Sequence, residues 1–150
     1  MTLKILSVFM DTSVIFSAVL SSSGGARKLF QLGESGLLKL YVGPNVLREC
    51  EKVVGRKASY SLPRLAMLLS IGKVETCPAP ESTINEFAKS LVEYGPDAHV
   101  LAEAIGANPD WFVTHDKVHL LKENIVPSLS FLIGTPGDLI QSVKDDLALP

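Results

Sequence analysis

Residues 5–10 form a short run that is apolar except for Ser7 and ends on Asp11. The run is too short for a typical helix, and its side chains are apolar at odd and even positions alike. Such a segment reads as a strand covered on both faces, the signature of a parallel sheet sandwiched between helices. It also places a carboxylate directly after the strand. In open parallel sheets, ligand sites form beyond the carboxyl ends of the strands.

The rest of the chain repeats the alternation. Residues 14–20 are expected to be helical with Thr12 or Ser13 as cap, and residues 21–25 to form a flexible turn. A helix over 26–34 stops at Ser35-Gly36, and a second strand covers 38–42. Gly43-Pro44-Asn45 opens a helix that runs to about Val54 and ends at Gly55. A helix over 62–70 and a strand over 73–76 follow, and Pro78-Ala79-Pro80 breaks the chain. Thr83 with Glu86 three residues later has the spacing of a capping box for a helix to about residue 93. Asp97 opens a helix to about Ile105, strands cover 111–114 and 131–133, and Thr135-Pro136 starts the last helix. The expected architecture is a three-layer α/β/α sandwich around a central, mainly parallel sheet of Rossmann type.

With 150 residues, the chain has the length of one domain, and no Pro/Gly/Ser linker divides it. An apolar content of 47% supplies a core and excludes bulk disorder. Cys50 and Cys77 cannot make a disulfide framework and read as small core hydrophobes in a reducing compartment. The N-terminus superficially resembles a signal peptide, but Asp11 interrupts its apolar stretch, and no run approaches the ~20 apolar residues that span a bilayer. The expectation is a cytoplasmic protein with no membrane partner.

The net charge of -2 excludes a simple cationic nucleic-acid binder, yet the charge is segregated. Residues 27–64 carry a net of +5, and residues 74–116 a net of -7. An acidic half suits metal ions and a basic half an anionic substrate, although two solvated faces would give the same pattern.

Four carboxylates stand out within this pattern. Asp11 and Asp116 each follow a strand and fall on the same sheet edge, Asp116 after one intervening residue, His115. Asp97 opens a helix, where the dipole favours an ionised carboxylate. Glu49 borders the apolar face formed by Val46, Cys50 and Val53. Taken singly, each has an ordinary role as a cap, a turn residue or a solvated acid. Meeting in one pocket, they would repel unless a divalent cation joined them. Hard oxygen donors suit Mg²⁺ or Mn²⁺, which bind phosphate oxygens and activate water, the chemistry of phosphodiester hydrolysis.

These segments carry a family resemblance. Phe9-Met10-Asp11-Thr12-Ser13-Val14, Gly43-Pro44-Asn45-Val46-Leu47-Arg48-Glu49, Pro96-Asp97-Ala98-His99-Val100-Leu101-Ala102 and Phe112-Val113-Thr114-His115-Asp116 occur in this order. They resemble the four motifs of the PIN-domain nucleases, metal-dependent ribonucleases that include VapC-type toxins. The segment 22–27 is similar to a toxin-like branch of that family. The resemblance implies a catalytic and metal-binding set of Asp11, Glu49, Asp97 and Asp116. In it, the three aspartates bind Mg²⁺ or Mn²⁺ directly or through water, and Glu49 helps hold a second metal or orients the attacking water. Ser13 and Thr114 resemble hydroxyl positions that support the site. The implied reaction is endoribonucleolytic hydrolysis leaving a 5′-phosphate and a 3′-hydroxyl. The implied partners are an RNA substrate, an antitoxin protein covering the acidic pocket, and a second copy in a homodimer.

Arg27, Lys28, Arg48, Lys52 and Arg56 are candidates for phosphate contacts, and Arg48, Lys52 and Arg56 recur every fourth residue along one helix. Asp110 precedes its strand and belongs at the opposite sheet end, as a turn residue. Glu103 lies roughly 1.7 turns past Asp97 and falls off its face, outside the site. His115 and His119 have a zinc-compatible spacing but no third ligand at a telling distance, and Lys117 could reach a phosphate. Ser13 stands where a haloacid-dehalogenase phosphatase has a second aspartate. One acid after the first strand is too few for a receiver domain, and residues 22–28 lack the P-loop pattern. The alternative to an enzyme is a catalytically weak scaffold of the same fold that binds RNA or a protein.

Overall fold

A computed structural model of the chain describes residues 4–92, 95–116 and 129–147. Five strands, β1 (Leu6–Met10), β2 (Leu38–Val42), β3 (Glu75–Thr76), β4 (Trp111–Val113) and β5 (Leu132–Gly134), form one sheet in the order β3-β2-β1-β4-β5. Every pairing is parallel. The helices are α1 (Thr12–Leu20), α2 (Gly25–Glu34), α3 (Pro44–Lys57), α4 (Leu62–Ile71), α5 (Ser82–Leu91), α6 (Gly95–Ala107) and α7 (Pro136–Leu147), with a 3₁₀ turn at Ser59–Ser61. This is the expected three-layer α/β/α arrangement.

The opening run is the central strand. Val8, Phe9 and Met10 are fully buried, and Phe112 and Val113 of β4 are buried beside them. Phe9 and Phe112 meet edge to face, with ring centroids 5.5 Å apart. From β1 the chain adds β2 and then β3 on one side, and afterwards β4 and β5 on the other. The direction of winding therefore reverses between β1 and β4. A crevice opens at such a switch point beyond the carboxyl ends of the two strands, and Met10 pairs with Val113 at its lip.

Local details differ from the sequence expectations. Asp11 itself caps α1, its carboxylate accepting from Thr12 N, so neither Thr12 nor Ser13 is the cap. Helix α3 continues through Gly55 to Lys57. No neighbour comes within 4 Å of a side chain built at Gly55, so the glycine costs helix propensity only, about 1 kcal/mol. The capping box at Thr83 does not form. Glu81 holds the N-cap position of α5 without a side-chain bond, and Thr83 lies inside the helix. Asp97 sits within the first turn of α6 and not ahead of it. At the amino edge of the sheet, Asp110 accepts from Ser7 N (2.8 Å), Ser7 Oγ (3.2 Å) and Lys4 Nζ (2.9 Å). Burial disfavours its charged form, but these donors outweigh burial and hold the carboxyl below its ordinary range.

Candidate active site

The crevice is organised around the Asp11 carboxylate. One oxygen, Oδ1, accepts from Thr12 N at 2.8 Å. The other, Oδ2, accepts from Thr114 Oγ1 at 2.7 Å and from Ser13 Oγ at 2.9 Å. Both hydroxyls are themselves fixed from the loop after β4. Asp116 N donates to Thr114 Oγ1 at 2.9 Å, and His115 N donates to Ser13 Oγ at 3.1 Å. Asp11 N donates to Val113 O at 3.1 Å, closing the junction of the two strand ends. The two strand exits thus form one hydrogen-bonded unit, and Asp116 is positioned by the hydroxyl that orients Asp11.

Asp11 is only 8% exposed. Burial pushes its carboxyl above the ordinary aspartate value. The three donors partly offset this, and the Asp116 carboxylate adds to it. Among the described residues, no cation is one of the groups acting on Asp11. Beneath it, Cys50 is buried, and its thiol is pushed up to about 12 by burial and by the Asp11 charge. Such a thiol stays protonated and packs as a small apolar group.

Glu49 and Asp97 lie on the helices that flank a neighbouring groove. Glu49 lines this groove together with Arg48, Lys52, Arg56 and His99, and the groove extends to Pro96, next to Asp97. Asp97 is half-buried in the first turn of α6. The structure therefore links Asp11 with Asp116 through Thr114 Oγ1, and puts Glu49 on α3 and Asp97 on α6, the two helices that flank the groove. Among the described residues, no three His, Cys, Asp or Glu side chains form a group that could hold a metal ion as placed. The donor chemistry nevertheless fits Mg²⁺ or Mn²⁺. Magnesium keeps several waters and takes only one or two carboxylates directly, a requirement that Asp11 and Asp116 meet.

The other candidates fall in different places. Arg27 holds a backbone carbonyl, its Nε and Nη2 donating to Ala18 O at 2.9 and 2.5 Å. Arg64 Nη1 donates to Val19 O at 3.1 Å, so two arginines hold the last carbonyls of α1. Lys28 is exposed on α2. Lys117 and His119 lie outside the described residues.

The residue that the sequence reasoning passed over is Glu103. It is 1% exposed and caps α3 across space, accepting from Asn45 N (2.8 Å) and Val46 N (3.2 Å). Burial raises its carboxyl above the ordinary glutamate value, and these N–H donors and the nearby Arg48 and His99 pull it back. Its structural role was missed. The available signal was an acid flanked by Ala102 and Ala104 on a helix destined for the core.

Comparison with known proteins gives the family. The PIN domain family model matches residues 7–118, and the chain belongs to that family. No curated protein matches the chain significantly in sequence. Among solved structures, it is similar to VapBC2 from Rickettsia felis, solved bound to a DNA fragment from their promoter. There the identity is 16%, the TM-score 0.65, and the match covers 86% of this chain and 98% of that one. It is also similar to PAE2754 from Pyrobaculum aerophilum, with 12% identity, a TM-score of 0.63 and coverage of 93% and 90%. A third likeness is to VapC20 from Mycobacterium tuberculosis, described as a toxin cleaving the Sarcin-Ricin loop. Its identity is 17%, its TM-score 0.54 and its coverage 74% and 91%. At these identities, the likenesses establish the shared fold. Among the described residues, no helix is long and apolar enough to cross a membrane.

Proposed function

We propose that the chain is a Mg²⁺- or Mn²⁺-dependent endoribonuclease acting in the cytoplasm as the toxin of a toxin–antitoxin pair. The observation that carries this reading is Asp11. A buried carboxylate, facing a second carboxylate at the switch point and with no cation acting on it among the described residues, suits a divalent ion. Membership of the PIN domain family and likeness to VapC-containing structures support the reading.

Asp11 and Asp116 would hold the ion, with Asp97 and Glu49 reaching it through water. When bound, the ion supplies charge neutralisation at a phosphate oxygen and a lowered pKa for bound water. The chain's own residues do the rest. Ser13 and Thr114 hold Asp11 Oδ2, leaving Oδ1 with a single backbone donor and room for a further interaction. Glu49, exposed on α3, would accept a proton from an attacking water or orient it. Arg48 and Lys52 bind substrate phosphates beside it. Lys28 is a more distant contact. Arg27 was expected to contact phosphate as well, but its hydrogen bonds to Ala18 O give it a structural task.

An antitoxin would act by covering the crevice, and a homodimer remains part of the proposal as the family resemblance implies it. The test is cleavage of RNA with and without divalent metal, wild type beside Asp97→Asn. Metal-dependent cleavage lost in the variant supports the reading. Metal-independent or unchanged cleavage removes these residues from catalysis. Binding of RNA without any turnover would favour the scaffold alternative.

A further inference from the structure

A second cavity, of about 370 Å³, opens between the first turn of α3 and helix α5. Asn85, Glu86 and Lys89 of α5 line it together with Pro80, and Asn45 and His99 belong both to it and to the groove that holds Glu49. Glu86 and Lys89 are three residues apart and Asn85 and Lys89 four, so the three side chains share one face of α5. Pro80 is seated against α6, where a Cβ built on Gly106 would lie 3.4 Å from Pro80 Cβ and 3.9 Å from Ile84 Cδ1. The polar groups around the cavity keep unused hydrogen-bonding capacity. Among the described residues, neither Glu86 nor Lys89 takes part in an ion pair, although one turn separates them. Asn85 Nδ2 donates to Glu81 O at 3.4 Å, which leaves its Oδ1 to accept. Arg48 Nη1 donates to Asn45 Oδ1 at 2.9 Å, which leaves the Asn45 amide N–H groups to donate.

We infer that this cavity reads a guanine base of the RNA substrate, with Glu86 as the residue that sets the specificity. Guanine is the standard base whose Watson–Crick edge sets two adjacent donors, N1–H and the 2-amino group, beside a carbonyl, O6. An ionised carboxylate accepts from both donors at once, and an ammonium or amide N–H donates to the carbonyl. Glu86 supplies the carboxylate, and Lys89 or Asn45 the donor. Pro80 offers an apolar surface to the face of the ring. Uracil has a single ring N–H between two carbonyls. Adenine and cytosine set an amino group beside an acceptor nitrogen, whose lone pair Glu86 repels. The cavity volume suits a ligand of nucleotide size, and this edge of a base is free for readout in unpaired RNA. Asn45 and His99 make the cavity continuous with the groove of Glu49, so the guanine belongs to the bound strand and not to a free nucleotide. Its arrival on RNA rests on the ribonuclease reading. The match between guanine and the cavity does not.

The test is binding of 5′-labelled oligouridylates to the intact chain in chelator, followed by fluorescence anisotropy, with the central base left as uracil or replaced by guanine, hypoxanthine, adenine or cytosine. The readout is the ratio of affinities between probes, which a change in overall protein charge leaves unaltered. Wild type is expected to favour the guanine probe over the adenine probe by about 10–100-fold, the worth of a hydrogen bond to a charged group. Hypoxanthine lacks the 2-amino group and should fall between them. Glu86→Gln keeps the shape but replaces one acceptor oxygen by a donor, and it should remove most of the guanine preference. Lys89→Ala should lower it. Glu86 and Lys89 are exposed, and matching melting curves separate a lost contact from a lost fold. Equal affinity for all probes overturns the inference, as does a guanine preference that survives in Glu86→Gln. Equal binding of guanine and hypoxanthine overturns the two-donor contact with Glu86. Displacement by free guanosine monophosphate as strong as by the guanine oligonucleotide would assign the cavity to a free nucleotide instead. A guanine preference in a chain that cuts no RNA keeps the cavity and removes the nuclease reading. Metal-dependent cleavage without any base preference in binding removes the guanine assignment alone.

Discussion

Glu103 Oε2 accepts a hydrogen bond from Asn45 N at 2.8 Å, tying the middle of α6 to the first turn of α3. The same carboxylate accepts from Val46 N, and the approach is so close that a Cβ on Gly43 would collide with the Glu103 side chain, coming within 2.7 Å of its Cβ. Glu49 and the basic residues ride on α3, and Asp97 rides on α6. The bond between Glu103 and Asn45 therefore sets the distance between the two walls of the groove.

Glu103→Ala leaves two N–H groups without their partner, at about 1–3 kcal/mol for each one kept from water. The expected result is a clear fall in unfolding midpoint by thermal or urea melting. Gly43→Ala should also destabilise, through the collision. The double variant should lose less than the sum of the single losses, because truncating Glu103 removes its carboxylate from the collision and leaves only the contact between the two Cβ atoms. Strict additivity would show that the two residues do not meet.

The pH dependence follows from the raised carboxyl of Glu103. A carboxyl whose folded pKa lies above its unfolded value binds protons more readily in the folded state. Its contribution is complete below the ordinary glutamate value and is lost as pH rises through the raised one. Wild type should therefore lose stability relative to Glu103→Gln as pH increases across that window. Melting curves of the two proteins at several pH values check the sign, and the opposite trend would contradict it.

Position along the chain made much of this legible. The apolar run ending on Asp11 announced a central strand and a carboxylate at its exit, and the spacing of Thr114 and Asp116 announced its neighbour. What could not be read was tertiary. Asp11 takes the cap position expected of Thr12 or Ser13, because its short side chain reaches Thr12 N. Gly55 did not stop α3, since packing of Val54 outweighs a glycine's modest cost. Glu103 lay hidden because its partners, Asn45 and Val46, are 58 and 57 residues away. Arg27 looked like a phosphate ligand, and only folding revealed the Ala18 carbonyl beside it.

Arg27→Ala offers a direct contrast with the groove. Its two bonds to Ala18 O are structural, so the variant should lower the melting temperature, with a loss of about 1–3 kcal/mol. The salt dependence of oligouridylate binding should stay as in wild type. A flattened slope with unaltered melting would return Arg27 to the substrate path.

Ser13 and Thr114 both donate to the Asp11 carboxylate, and in the proposed site they orient this metal ligand. Ser13→Ala or Thr114→Val should weaken Mn²⁺ affinity or cleavage by about 10–100-fold, the range for residues that orient metal ligands. Thr114→Ser keeps the hydroxyl and should restore most of the loss. Metal titration by calorimetry, alongside cleavage rates, separates this role from simple destabilisation. Equal metal affinity in Thr114→Val and wild type would contradict it.

The four carboxylates are proposed to run metal-dependent RNA cleavage. The most direct measurement incubates total cellular RNA with wild type or Asp97→Asn, in Mn²⁺, Mg²⁺ or chelator, and maps new 5′-phosphate ends by sequencing. The account predicts new ends only with wild type and metal. New ends produced equally by Asp97→Asn, or by wild type in chelator, would contradict it.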